Sequence, residues 1–163
     1  MSSTARGFLV RDMTYHGKSG ASRVSINPAK ALPASTTGNL FTITGSIVVT
    51  GLTGVVSTAT QASNVSPTIG VTGAANAALI AAAPAAPYNA VPVGNAIIMP
   101  SLIGGALPAP VAAQSSVTSA IRFAVTAGAI TITTATTVTG NITWILTWVP
   151  LLPGHGTPVV TAV

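Results

Sequence analysis

The chain has no cysteine, no glutamate and a single aspartate, Asp12, in 163 residues. Without cysteine there is no disulfide framework, no thiolate metal site and no thiol nucleophile. Charged residues make up 4% of the sequence, against about 25% in an ordinary soluble domain. One carboxylate cannot supply the pair that glycosidase chemistry requires, or two acidic groups with separated pKa values. A Ser-His-Asp triad is formally available, because Asp12, His16 and His155 exist, but no Gly-x-Ser-x-Gly elbow accompanies it. Two histidines and one aspartate also fall short of the three or four ligands of a metal site within one chain. A symmetric oligomer that gathers His16 or His155 on an axis is the remaining route to an ion, and a solvated loop histidine is the plainer reading of Gly154-His155-Gly156. No Gly-rich phosphate loop with its lysine is present. The expectation is a protein that is not an enzyme, with no catalytic residue, no metal and no cofactor.

Long uninterrupted apolar runs are missing as well. A spanning helix needs about 20 predominantly apolar residues. The longest candidate, from Ala96 to Ala113, is broken by Pro100, Gly104, Gly105, Pro108 and Pro110. No membrane association is expected. Met1 to Phe8 lacks the apolar stretch of a signal peptide, so synthesis without export is the expectation.

What charge there is sits at one end. Arg6, Arg11, Asp12, Lys18, Arg23 and Lys30 fall in the first thirty residues; Ala31 to Ile121 carries none, and Arg122 alone follows. The sequence thus divides into a basic extended N-terminal arm, 1–33, and a neutral body, 34–163. Within the arm only Val24 to Ile26 reads as a short strand. Arg6, Arg11, Lys18, Arg23 and Lys30 are the candidate docking residues, for an acidic protein surface or for phosphates. Their wide spacing, with only Phe8 and Tyr15 as stacking groups, weighs against nucleic acid and toward protein.

The body is rich in Thr, Val and Ile, which favour strands. Phe41, Ile43, Ile47 and Val49 alternate with Thr42, Thr44, Ser46 and Val48, which predicts a half-buried strand with a bulge or bend at Gly45. A turn at Gly51 or Thr53-Gly54 and a further strand over Val55 to Thr60 are expected next. Val65 to Thr72 follows, with Val65, Ile69 and Val71 on one face and Pro67 confining it to an edge or bulge. Gly73 to Ala113 is rich in Ala, Pro and Gly. A short helix over Ala74 to Ala83 is possible there, and otherwise loops with short strands near Val91 to Met99 and near Val111, forming a surface that packs on a neighbour. The last third reads as a three-stranded meander: Ile121 to Val125, a turn at Ala127-Gly128, Ala129 to Thr137, a turn at Thr139-Gly140, and Asn141 to Val149. In the last strand Ile142, Trp144, Leu146 and Trp148 share a core face, opposite Thr143, Ile145 and Thr147. Short strands parted by turns predict an all-β protein, an antiparallel β-sandwich or a jelly-roll-like barrel.

Three features together resemble the small β-rich structural proteins of tailed-bacteriophage virions, most of all capsid decoration (cement) proteins. They are the opening Ala5-Arg-Gly-Phe-Leu-Val-Arg-Asp12, the threonine-rich alternating body, and the closing Ile142-Thr-Trp-Ile-Leu-Thr-Trp-Val-Pro-Leu151. The resemblance implies a sandwich or jelly roll, often trimeric, made in the host cytoplasm and seated on the outside of the capsid. There it bridges neighbouring capsomers, with the major capsid protein or another virion protein as partner. It transfers no site residue. A tail, fibre or collar component is the alternative within the same class, and a nucleic-acid or carbohydrate binding module the alternative from another.

Overall fold

Among the described residues, the stretches that alternate β-branched with polar residues are realised as strand. The computed structural model describes residues 21–61, 65–73, 78–112, 122–151 and 158–163, and no helix occurs among them. Eight strands run in the order β1 (Arg23–Ala31), β2 (Thr37–Thr58), β3 (Pro67–Thr72), β4 (Ala78–Ala81), β5 (Ala96–Ile98), β6 (Phe123–Thr134), β7 (Asn141–Pro150) and β8 (Val159–Ala162). All named pairings are antiparallel, and the strand path β1-β7-β2-β6-β3-β4 is open, so the sheet does not close into a barrel. Of the two architectures expected, this is the sandwich.

β2 organises it. At 22 residues it is long enough to serve two layers. Its first part pairs with β6 on one side and β8 on the other; its second part pairs with β7 and β5. One layer is therefore β4-β3-β6-β2-β8 and the other β1-β7-β2-β5. The bend between them lies where the sequence placed Gly45. That residue has φ +85°, and the β2–β6 register slips between Ile43 and Ser46. A second slip follows between Val49 and Gly51, and it returns Leu52 and Val56 to the core face. The expected turn at Gly51 or Thr53-Gly54 is thus a bulge, and Val55 to Thr58 continues the same strand. A bulge supplies the extra twist a folded-over strand needs, without breaking its ladder.

The C-terminal meander is corrected in two ways. Ala127 and Gly128 do not turn the chain back: β6 runs through them, opposite the β2 bulge, with Ala127 at φ +27°. β6 and β7 are not hairpin neighbours either, because β2 lies between them. The connection over Ala135 to Gly140 arches from one layer to the other. Periodicity assigns strands well but carries no information on which strand becomes the neighbour; here the 22-residue β2 offers both its edges, and β6 and β7 take one each.

Between the layers lies one core. Phe41, Ile43, Ile69, Val71, Ile130 and Ile132 face in from the first layer, and Leu52, Ile142, Trp144, Leu146 and Trp148 from the second. The expected face of β7 is observed in full. The two tryptophans are buried core, as read, and fully burying even a Leu or Ile side chain contributes about 1.5–3 kcal/mol.

Of the two readings of the segment from Gly73 to Ala113, the described residues show loops with short strands and no helix. Its described part contains β4 in place of a helix, with residues 74–77 outside the described residues. Ile80, Tyr88, Val91, Ile97, Met99 and Leu107 enter this chain's own core, while Leu79, Val93, Leu102 and Ile103 stay exposed, so part of the segment still presents an apolar surface to a neighbour. Pro84 and Pro87, Pro92 and Pro100 part these anchors into four groups, Ile80, Tyr88 with Val91, Ile97 with Met99, and Leu107. β5 and an antiparallel bridge between Ala96 and Val111 fall where short strands were expected.

Candidate functional site

β1 is the element with unusual chemistry. Its alternation is inverted relative to a normal edge strand. By register, Arg23, Ser25 and Asn27 stand opposite Trp148, Leu146 and Trp144, on the face turned toward the core. Val24 and Ile26 stand opposite Thr147 and Ile145, on the outer face, where they are 60% and 54% exposed. Each inward polar group has a partner. The Arg23 guanidinium lies 5.2 Å from the centroid of the Trp148 ring, a cation–π contact. The Trp148 indole donates to the Ser25 hydroxyl at 3.1 Å.

Asn27 is buried and joins the layers. Its amide nitrogen donates to the Leu40 carbonyl at 2.7 Å and to the Val163 carbonyl at 3.0 Å. Lys30 donates to the same Val163 oxygen at 2.7 Å. One side of β1 therefore pins both the beginning of β2 and the end of β8. Past Asn27 the strand is irregular: Pro28 lacks an N–H, Ala29 has φ +48°, and the register with β7 shifts between Asn27 and Lys30.

Of the five residues expected to dock a partner, Arg23 and Lys30 sit near opposite ends of β1, engaged with Trp148 and Val163. Arg6, Arg11 and Lys18 lie outside the described residues, as do Asp12, His16 and His155. The structure thus carries β1 through residues 23–31, well beyond the Val24 to Ile26 strand that the arm suggested. Arg122, the one charge beyond residue 31, is exposed just before β6. Sequence reading missed Asn27 as a bridge. Half of its signal was available, an asparagine continuing the polar alternation around Val24 and Ile26; that β7 brings Trp144 and Trp148 to the matching face is seen only in the fold.

Among the described residues the strand rows on both outer faces are neutral. On the first layer Thr37, Thr133 and Thr68 form a row across three strands, with the Thr37 and Thr133 hydroxyls 2.7 Å apart. On the second layer Ile26, Ile145, Thr53 and Ile98 form a row across four. Such rows keep β-propensity high without charge, and the first of them lines a shallow hollow with Gly70 and Leu79.

A cleft of about 600 Å³ opens between the segments at 84–95 and 106–110 and is lined largely by proline and alanine. Tyr88 closes its floor, donating from its hydroxyl to the Pro108 carbonyl at 2.6 Å. Burial pushes the Tyr88 hydroxyl well above its ordinary pKa, so it stays protonated and keeps donating. The tyrosine is a structural tie between two proline-rich segments. Among the described residues no group of His, Asp or Glu gathers that could hold a metal ion. No helix among them is long and apolar enough to cross a membrane.

No protein-family model matches the chain, and no curated protein matches it in sequence. Among solved structures it is similar to a chain of the infectious bursal disease virus Gx strain structure, at 15% identity and a TM-score of 0.24. The match covers 86% of this chain and 33% of that one, so this chain spans about a third of the length of the structure it matches.

Proposed function

We propose that the chain is a structural, non-catalytic protein of a virion, and specifically a capsid decoration (cement) protein on the outside of the assembled shell. The observation that carries this reading is the pair of uncharged outer strand rows, threonine-rich on one layer and isoleucine- and threonine-rich on the other. A freely diffusing monomer ordinarily relies on surface charge to stay apart from its copies. A lattice protein instead contacts neighbours through broad neutral surfaces, and stabilises the shell by binding only its assembled form. The partners in this reading are the major capsid protein and further copies of the chain itself, with Arg6, Arg11, Lys18, Arg23 and Lys30 as the basic docking set. The resemblance of the opening and closing segments to phage head proteins supports the same reading.

The test is co-sedimentation with assembled capsid shells of the virus that encodes the chain, alongside its unassembled capsid subunits. Binding to shells but not to free subunits, with a rise in shell melting temperature, is the expected result. Recovery of the protein with tails alone would replace decoration by a tail or collar role. Absence from particles altogether would sink the virion reading.

A further inference from the structure

Sheet edges are ordinarily guarded, since a row of free N–H and C=O groups templates pairing with another chain. Three of the four edges in this sandwich are short or covered. β4 has residues 104–107 along its outer side, with Gly104 donating to Ile80, Ala82 to Gly105 and Leu107 to Ala82. β5 is three residues long and is bridged by Val111. β8 is four residues long and is tied to Asn27 and Lys30 at Val163. β1 alone is long, at nine residues, and among the described residues no strand pairs with its outer side.

The protection β1 does have is confined to its second half. Pro28, the positive φ of Ala29 and the register shift end regular pairing after Asn27. From Arg23 to Asn27 the strand is regular and apolar on its outer face. The two cations that would ordinarily guard such an edge are turned back onto the chain itself: Arg23 over the Trp148 ring and Lys30 onto Val163.

We infer that residues Arg23 to Asn27 form a homodimer edge, pairing antiparallel with the same residues of a second copy about a two-fold axis at Ser25. Centred there, Val24 of each copy stands opposite Ile26 of the other, an apolar β-branched cross-strand pair on each side of the axis. Arg23 stands opposite Asn27, so the two arginines lie at opposite ends of the shared ladder. The pairing extends the row through Ile26, Ile145, Thr53 and Ile98 across both copies as one continuous sheet. It ends where Pro28 removes a donor, which limits it to a closed dimer. This goes beyond the virion role and stands without it; a two-fold contact also differs from the three-fold assembly that resemblance to decoration proteins implies.

The experiment uses the full chain. Light scattering coupled to size exclusion is expected to give twice the 16.0 kDa chain mass. The doubly substituted V24K/I26K and V24E/I26E chains each place like charges directly opposite across the axis and are expected to run as monomers. Mixed in equal amounts they pair Lys against Glu and re-form the dimer. Because the chain has no cysteine, Ser25→Cys introduces a single thiol beside its own symmetry mate. Paired antiparallel strands bring opposed Cα atoms within disulfide range, so mild oxidation is expected to yield a covalent dimer. Ser57→Cys, exposed on β2, serves as the control that does not cross-link. A wild-type monomer or trimer overturns the proposal. So does a dimer that survives V24K/I26K, or one in which Ser25→Cys fails to cross-link, the result expected of stacking through the outer faces.

Discussion

At the scale of single residues, the largest consequence falls on a side chain that carries no charge. Asn27 donates to the main-chain oxygens of Leu40 in β2 and of Val163 just past β8, and it is buried at 5% exposure. Asn27→Ala removes two hydrogen bonds, although the Leu40 oxygen keeps the Val163 N–H and the Val163 oxygen keeps Lys30, a loss of about 0.5–1.5 kcal/mol per bond. In a chain of this size each kcal/mol moves the melting temperature by roughly 2–4 °C. Asn27→Ala is therefore expected to melt several degrees lower. Arg23→Gln, which forfeits only a cation–π contact at an exposed position, is expected to shift less. Thermal denaturation followed by circular dichroism compares the two. Equal melting temperatures for wild type and Asn27→Ala would remove Asn27 as the tie between layers.

Elements obey stricter geometry than residues do. The alternating stretches Phe41 to Val49 and Ile142 to Trp148 were legible in the sequence because side-chain period two is imposed by the strand itself. The bulge at Gly45 was legible for a related reason, since glycine in an otherwise β-branched run marks a place that needs a special backbone. Partner choice was not legible. Nothing local in Phe123 to Pro150 says that β2 will come between β6 and β7. The same limit made Ala127-Gly128 look like a hairpin turn. In the fold this pair lies mid-strand, and glycine is required there by a close approach: a Cβ on Gly128 would collide with the Thr72 carbonyl and crowd Gly73. At Gly45 a Cβ would meet Pro158 at 3.1 Å, in addition to the strain of φ +85°. Left-handed backbone costs an ordinary residue roughly 1–2 kcal/mol, and Gly45→Ala is expected to lose somewhat more than that. Gly128→Ala is expected to lose more still, because β3 must move off β6 to admit the methyl group. Urea unfolding of the two variants tests the order, and a Gly128→Ala chain as stable as wild type would refute the close approach of β3 and β6.

For the whole molecule the governing fact is how its charge is distributed. Five of the six cations precede residue 31, and the body beyond is neutral up to Arg122. Two of those five, Arg23 and Lys30, have partners within the chain. Diverting them to a capsid would require giving up those contacts, whereas their loss on β1 would disturb the strand that holds Val163. If the proposed docking is electrostatic, its salt-sensitive part should therefore rest mainly on Arg6, Arg11 and Lys18. Exposed charges interact over about 8 Å at physiological ionic strength, so raising salt should weaken the interaction progressively. A chain with all three changed to glutamine is expected to bind shells weakly at low salt and to lose most of its salt dependence, with an unchanged melting temperature. Arg23→Gln with Lys30→Gln is expected to show the reverse: near-normal binding and a lower melting temperature. Shell co-sedimentation over a salt series, beside melting curves for both variants, reads out both quantities. Loss of binding in the second variant alone would shift the docking surface from residues 1–20 onto β1, where it would compete directly with the two-fold edge.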